Sequence, residues 1–265
     1  MKLGDIISFI EKKAPLNLQE AYDNSGLILG SPADEISKVL VCLDADEGAL
    51  EYAIQNNCQL ILSHHPAVFR AIKVFTGEIR EARLITKAIR HNIAIYSAHT
   101  NFDSALGGLT DSLCEMLGLQ DYRVLKSTSM PDASGHGRYG TIPRLKGEEF
   151  LDLLVKRLEL KALRLVGQMP QWVSKVAVFN GAYDGDILSE LVKIKPDAFI
   201  TGDLKYHDAQ MLSVNNIFTI DAGHYGTEKH FVDQMTTLLE NNFPEITVLG
   251  YKGEDVFSYF VSANN

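Results

Sequence analysis

Gln59-Leu60-Ile61-Leu62-Ser63-His64-His65-Pro66 is the stretch whose reading decides the fold. Its apolar run reads as a short buried strand over residues 60–62. Two adjacent imidazoles then arrive where that strand is expected to stop, because Pro66 brings no ladder donor and restricts the backbone of His65. Neighbouring side chains of a regular strand point to opposite faces. Two consecutive histidines therefore serve one site only if the backbone turns there, or if each serves a different metal ion. Both arrangements suit the carboxyl end of a strand, where open α/β sheets place their ligands. An isolated His-His pair reads as well as two solvent-facing loop residues, so the rest of the chain carries the decision.

Working outward, residues 39–43 read as a strand, 47–56 as a helix and 60–62 as the next strand. That β-α-β unit implies a parallel sheet. Ahead of it, Ile6, Ile7, Phe9 and Ile10 with Glu11-Lys12-Lys13 form a short amphipathic helix ended near Pro15. Residues 21–30 are a turn-rich loop feeding an apolar strand. Residues 78–91 read as a longer helix with Ile79, Ala82, Leu84, Ile85, Ala88 and Ile89 inward, and 93–96 as a strand. A helix over 110–117 is closed by Gly118. Residues 127–140 are rich in small and turn-forming residues and read as a crossing into a second domain. A second α/β series follows, with helices over 148–157, 186–193, 205–212 and 226–241. Its strands are expected at 163–166, 175–179, 198–201 and 217–220, with 246–249 and 256–261 closing the chain.

The 265 residues, 46% of them hydrophobic, are enough for one large or two medium globular domains. A net charge of -9 gives no basic footprint for nucleic acid and is compatible with a cation site. Cys42, Cys58 and Cys114 are widely spaced in apolar surroundings and read as buried thiols of a reducing cytoplasm. The opening Met1-Lys2-Leu3-Gly4-Asp5 carries acid too early for a secretory signal. No run approaches the ~18 apolar residues of a membrane span.

Two further segments repeat the pattern of a strand followed by ligand-type side chains. His99-Thr100-Asn101-Phe102-Asp103 follows the strand over 93–96, and Asp221-Ala222-Gly223-His224-Tyr225-Gly226-Thr227-Glu228 follows the one over 217–220. His224 and Glu228, four residues apart, share one face if that segment is helical. Taken singly, Asp103 reads as a turn or cap acid, His99 as a hydrogen-bonded packing residue, and Glu228 as an acid favoured by a helix start. Taken together, His64, His65, Asp103, His224 and Glu228 are too many donors for one open tetrahedral zinc. They suit two metals ~3.5–4 Å apart, which lower the pKa of a bound water and polarise a substrate oxygen. Nitrogen and oxygen donors accommodate zinc, iron, manganese, nickel or cobalt. Lys205-Tyr206-His207-Asp208 adds a helix histidine, read either as a surface residue or as a proton carrier. Asp46 reads as a helix cap.

Asp23-Asn24-Ser25-Gly26-Leu27, Ser63-His64-His65-Pro66, His99-Thr100-Asn101-Phe102-Asp103, Ile200-Thr201-Gly202-Asp203 and Gly223-His224-Tyr225-Gly226-Thr227-Glu228 occur in this order. In this the chain resembles the Nif-three-like dinuclear-metal proteins, also catalogued as GTP cyclohydrolase I type II homologues, from about Leu3 to Val261. The resemblance implies two interleaved α/β domains with mixed and parallel sheets, residues 1–125 plus 222–265 and residues 126–221, with a dinuclear site at their interface. It implies His64, His65, Asp103, His224 and Glu228 as ligands, Glu228 as the bridge, and toroidal homohexamers with the sites facing an internal cavity. The implied activity is a cytoplasmic metal-dependent hydrolase, opening the guanine ring of GTP with release of formate, with His99 or His207 moving protons. The alternative is a non-catalytic metal-binding scaffold, regulatory or chaperone-like protein. No P-loop or dinucleotide fingerprint supports a nucleotide independently. One departure stands out. Phe179-Asn180-Gly181-Ala182-Tyr183-Asp184-Gly185 replaces a glycine-serine-rich loop, which bears on specificity if that loop meets substrate.

Overall fold

The computed structural model describes residues 1–127 and 134–260, and the chain divides into two compact units. The first unit holds residues 1–106 and 229–253, and the second holds 107–228 and the segment from Glu254. The chain opens with α1 (Leu3–Lys13), β1 (Gly26–Leu29), β2 (Lys38–Asp44), α2 (Glu47–Gln55), β3 (Leu60–His65), α3 (Arg80–Arg90), β4 (Ala94–Ser97) and α4 (Thr100–Ser104). The second unit contributes α5 (Leu109–Leu117), β5 (Gln120–Ser127), β6 (Gly135–Lys146), α6 (Gly147–Arg157), β7 (Arg164–Val166) and β8 (Trp172–Ala182). It continues with α7 (Leu188–Ile194), β9 (Ala198–Gly202), α8 (Tyr206–Val214), β10 (Thr219–Asp221) and α9 (His224–Glu228). The chain then returns to the first unit as α10 (Phe231–Asn242) and β11 (Thr247–Tyr251).

The sheet of the first unit runs β1-β4-β3-β2-β11 among the described residues. β11, β2, β3 and β4 are parallel, as the β-α-β reading requires, and β1 is an antiparallel edge. Leu40, Cys42, Ile61 and Ile95 alternate onto one face and pack with Ala49, Leu50 and Ala53 of α2 and Leu84, Ile85 and Ala88 of α3. Each fully buried Leu or Ile there contributes about 1.5–3 kcal/mol of transfer free energy. Because these strands are parallel, Asp44, His65 and Ser97 end on the same edge of the sheet.

The second sheet runs β5-β6-β8-β9-β10-β7 among the described residues, with β8, β9 and β10 parallel and the outer pairs antiparallel. One face packs on α5 and α6 through Leu113, Phe150, Leu154, Val176, Val178 and Ile200, the other on α7 and α8 through Ala177, Leu191, Phe199 and Leu212. Burial of both faces explains why these strands read as unbroken apolar runs. Cys42, Cys58 and Cys114 are buried and free. No described helix is long and apolar enough to cross a membrane.

Several sequence expectations need correction. β3 does not stop at Leu62 but runs through both histidines, since the missing N–H belongs to Pro66 and the ladder is intact before it. Ile79 precedes α3 as its N-cap and Ile89 lies in its last turn, so both are exposed while Ala82, Leu84, Ile85 and Ala88 are buried. The turn-rich stretch 127–140 is largely strand where it is described, with β5 and β6 antiparallel, and residues 128–133 lie outside the described ones. Its glycines permit close strand approach: a Cβ at Gly135 would stand 2.3 Å from the Lys126 carbonyl oxygen, and one at Gly140 2.7 Å from that of Gln120. Residues 256–260 form no strand, and Val261 lies outside the described residues. Asp255 Oδ1 accepts the Phe257 N–H in a turn, and Val256 and Phe260 are 90% and 94% exposed. The long helix expected over 226–241 is two, α9 and α10, separated at Lys229-His230.

Arg138 of β6 is fully buried with its guanidinium on Asp111 of α5 and on the carbonyl oxygens of Gly135 and Gly137. Removing one member of a buried pair strands the other without solvent. Asp111→Ala is therefore expected to cost about 3–5 kcal/mol, read as a lowered urea midpoint against wild type.

Candidate metal centre

In the first unit the parallel strand ends gather three imidazoles. His64 and His65 close β3, and His99 precedes α4 just beyond β4. The ring of His64 lies 5.0 Å from that of His65 and 5.1 Å from that of His99. Each of the three offers a ligand atom within 4.8 Å of the others. His64 is fully buried against Phe231, which packs edge-on to Phe102. Asp103 joins the group with Oδ1 3.7 Å from His64 Nε2.

The ring orientations decide which nitrogen is offered. His64 Nδ1 lies 2.8 Å from the Ala98 carbonyl oxygen, His65 Nδ1 2.8 Å from Asp44 Oδ1, and His99 Nδ1 2.7 Å from Asp23 Oδ1. Carbonyl and carboxylate oxygens accept and do not donate, so each Nδ1 carries the hydrogen. The lone pair of each neutral ring is then on Nε2. In a metal-ligating histidine one ring nitrogen is likewise hydrogen-bonded to an oxygen while the other meets the ion.

Asp23 anchors this arrangement. Burial pushes its carboxyl pKa up, but the hydrogen bond and charge of His99, the Thr100 hydroxyl and the Asn24 N–H outweigh that and hold it well below the usual carboxylate range. Its Oδ2 also accepts the Thr100 N–H at 3.1 Å and the Ser25 hydroxyl at 2.9 Å. Asp23 thus stays an acceptor for His99 across the neutral range.

The second unit repeats the logic at its own parallel edge. His224 and Glu228 face each other along α9, Nε2 to Oε2 2.9 Å. His224 Nδ1 lies 2.8 Å from Asp203 Oδ2, beyond the end of β9. Asp203 adopts the left-handed conformation with φ 47°. The buried Asp221 carboxylate at the end of β10 accepts from Leu204 N–H at 3.2 Å and Gly223 N–H at 3.0 Å, tying the segments that carry Asp203 and His224. Asn180 donates from Nδ2 to Glu228 Oε1 at 3.2 Å and accepts the Thr110 hydroxyl at 2.5 Å. Within its loop, then, Asn180 serves Glu228. Gly181, with φ 67°, donates its N–H to Thr227 Oγ1, and a Cβ there would stand 2.2 Å from Glu228 Oε1.

The donors therefore fit divalent cations by chemistry: imidazole Nε2 and carboxylate oxygen, each oriented by a second contact. His64, His65, His99 and Asp103 come together in the first unit, and His224 and Glu228 in the second. His207 does not join them. It is exposed on α8, with Nδ1 3.1 Å from Gln210 Oε1 and its ring on Tyr206. The orienting residues Asp44, Asp203, Asp221 and Asn180 were not foreseen in these roles. For Asp44 and Asp203 the signal is an acid at the end of the strand beside the one that precedes or carries the histidine.

A family model described as Duf34/NIF3 (NGG1p interacting factor 3) matches residues 1–254. The chain belongs to the DUF34/NIF3 family. This NIF3-family chain is 35% identical over 229 residues to a Clostridium perfringens protein named GTP cyclohydrolase 1 type 2 homolog, spanning 86% of this chain and 87% of that one. A Campylobacter jejuni protein of the same name is 32% identical over 261 residues, 98% of this chain and 100% of its own. The crystal structure of a Bacillus cereus protein related to NIF3 superposes with a TM-score of 0.91 at 21% identity, covering 98% and 99% of the two chains, and so shares the fold.

Two substitutions probe the cradle of this NIF3-family chain. Gly181→Ala forces a methyl group into the Glu228 carboxylate and strains a positive φ. Asp203→Ala frees the His224 ring. Each is expected to weaken zinc affinity about 10–100-fold, measured by competition with a chromogenic chelator, with the far-ultraviolet circular dichroism unchanged.

Proposed function

We propose that this NIF3-family chain is a hydrolase in which His64, His65, Asp103, His224 and Glu228 would hold two divalent ions. The observation that carries the reading is the common locking of His64, His65 and His99, each Nδ1 held by an oxygen so that Nε2 is presented. Chain connectivity supports it. The chain leaves the first unit after Leu106, three residues past Asp103, and leaves the second directly after Glu228. When bound, such a pair lowers the pKa of a water and polarises a substrate oxygen. Zinc, iron, manganese, nickel and cobalt all suit the donor set.

The chain's own residues do the rest. His99 Nε2 accepts the proton of the attacking water, and the Asp23 carboxylate on its Nδ1 holds the ring in place and offsets its charge. The name of the relatives points to GTP as substrate, with water opening the guanine imidazole ring and formate leaving. A cytoplasmic toroidal homohexamer, as the sequence resemblance implies, belongs to the same proposal, and light scattering of the purified protein is expected to give a mass of about six chains.

The test is metal content by plasma mass spectrometry on protein purified without chelator or nickel resin, alongside formate release from GTP. Wild type is expected to hold about two equivalents per chain, with less in His64→Ala and almost none in Glu228→Ala. His99→Ala is expected to keep both ions and slow turnover about 10²–10⁴-fold. Metal loss in His99→Ala would move His99 into the ligand set. Metal bound without turnover of any substrate would favour a metal-stabilised scaffold.

A further inference from the structure

Two large aromatic side chains stand exposed at the rim of the three-imidazole cluster. Tyr22 is 63% and Phe69 47% exposed, and their rings lie 6.2 Å apart. Scattered surface aromatics are ordinary. These two differ because each is the chain neighbour of a residue that ties its segment down. Tyr22 precedes Asp23, whose carboxylate holds His99 Nδ1 at 2.7 Å. Phe69 follows Val68, whose carbonyl oxygen accepts the Asn24 side-chain N–H at 2.7 Å. The segment before β1 and the segment after His65 are thereby cross-linked, and the first is tied to His99 through Asp23. The Phe69 ring lies 6.5 Å from the ring of His99. The aromatic pair is thus positioned relative to His99 by hydrogen bonds, while both rings keep much of their surface open to solvent.

We propose that Tyr22 and Phe69 form a stacking wall in which Phe69 offers its face and Tyr22, tilted 49° to it, a flank, and that this wall receives a planar heteroaromatic ring and presents it to His99. This rests on the reading of the imidazole cluster as the reacting centre. Aromatic side chains hold such rings through dispersion and quadrupole contacts that need no directional donor, so they select flatness and unsaturation over a hydrogen-bond pattern. The wall therefore specifies the shape of the substrate and leaves its phosphate, sugar or other appendages unread.

The experiment is calorimetric titration of the as-purified protein with guanosine 5′-monophosphate, flavin mononucleotide and ribose 5-phosphate, with metal content measured on the same samples. At least one ring-bearing ligand is expected to bind about tenfold or more tightly than ribose 5-phosphate. Phe69→Ala and Tyr22→Ala are each expected to weaken that binding about tenfold with metal content unchanged, and Phe69→Trp to restore it. A merely structural role for Phe69 would not give rescue by the larger ring. The proposal is overturned if neither ring-bearing ligand outbinds ribose 5-phosphate, or if Phe69→Ala binds as wild type does. Ring binding that depends on Phe69 in protein without metal would leave the wall standing and remove the hydrolase reading. Full metal occupancy with binding indifferent to Phe69 would do the reverse.

Discussion

A neutral imidazole has one lone pair, and which nitrogen carries it is set by whatever the other nitrogen touches. Four histidines of this chain obey that constraint in the same sense, through one backbone carbonyl and three carboxylates. A histidine whose Nδ1 faced solvent would sample both tautomers and several ring angles. Here the choice is made before any ligand arrives, and the cost is carried by the fold. Asp23 must be buried and still ionised, Asp203 must sit at positive φ, and Gly181 must have no side chain. These are local strains of the kind that persist only where surrounding contacts over-determine them.

The parallel sheets make this economy possible. Parallel neighbours finish on the same edge, so an acid at the end of one strand meets a histidine at the end of the next without a long loop. Asp44 lies directly across from His65 in the β2–β3 register, and Ala98 N–H bonds the Ser63 carbonyl oxygen, bringing its own carbonyl to His64. In the second unit Asp203 follows β9 and His224 follows β10, which are again parallel neighbours. A single local arrangement, repeated on two sheets, accounts for most of the oriented donors.

This is also why much of the fold and the ligand-type residues could be read from sequence, and why other features could not. Apolar runs such as Leu60-Ile61-Leu62 and Ala198-Phe199-Ile200 announce buried parallel strands, and His64, His65, Asp103, His224 and Glu228 are ligand-type residues in or soon after such strands. Composition misled where glycine had two meanings. Gly135 and Gly140 look like linker residues but are there because β5 and β6 approach too closely for a Cβ. Hydrophobicity misled at Val256 and Phe257, whose apolar run joins no strand among the described residues once Asp255 turns the chain. The roles of Asp44 and Asp203 were hidden for a different reason. An acid after a strand is common, and only strand order says whether a histidine is its neighbour.

The helices that carry the carboxylates add a last constraint. α4 and α9 are five residues each, too short for their own hydrogen bonds to offset the cost of nucleating a helix. Both are held from outside. In α4 the Asn101 amide donates to the Ala14 carbonyl oxygen, the Thr100 hydroxyl accepts the Glu20 N–H, and Asp23 accepts the Thr100 N–H. In α9 the Thr227 hydroxyl accepts the Gly181 N–H and donates back to the carbonyls of Gly223 and His224. Asp103 and Glu228 therefore sit on segments whose order depends on neighbouring segments rather than on helix propensity, and each lies at or just before a point where the chain passes from one unit to the other. Continuing α9 into α10 as one rod would fix Glu228 to a long helix that belongs to the other unit. Breaking it at Lys229-His230 leaves the carboxylate bound to Asn180 and facing His224 instead. On the proposed reading, a cation held by these segments stabilises their local order by the same free energy with which it binds.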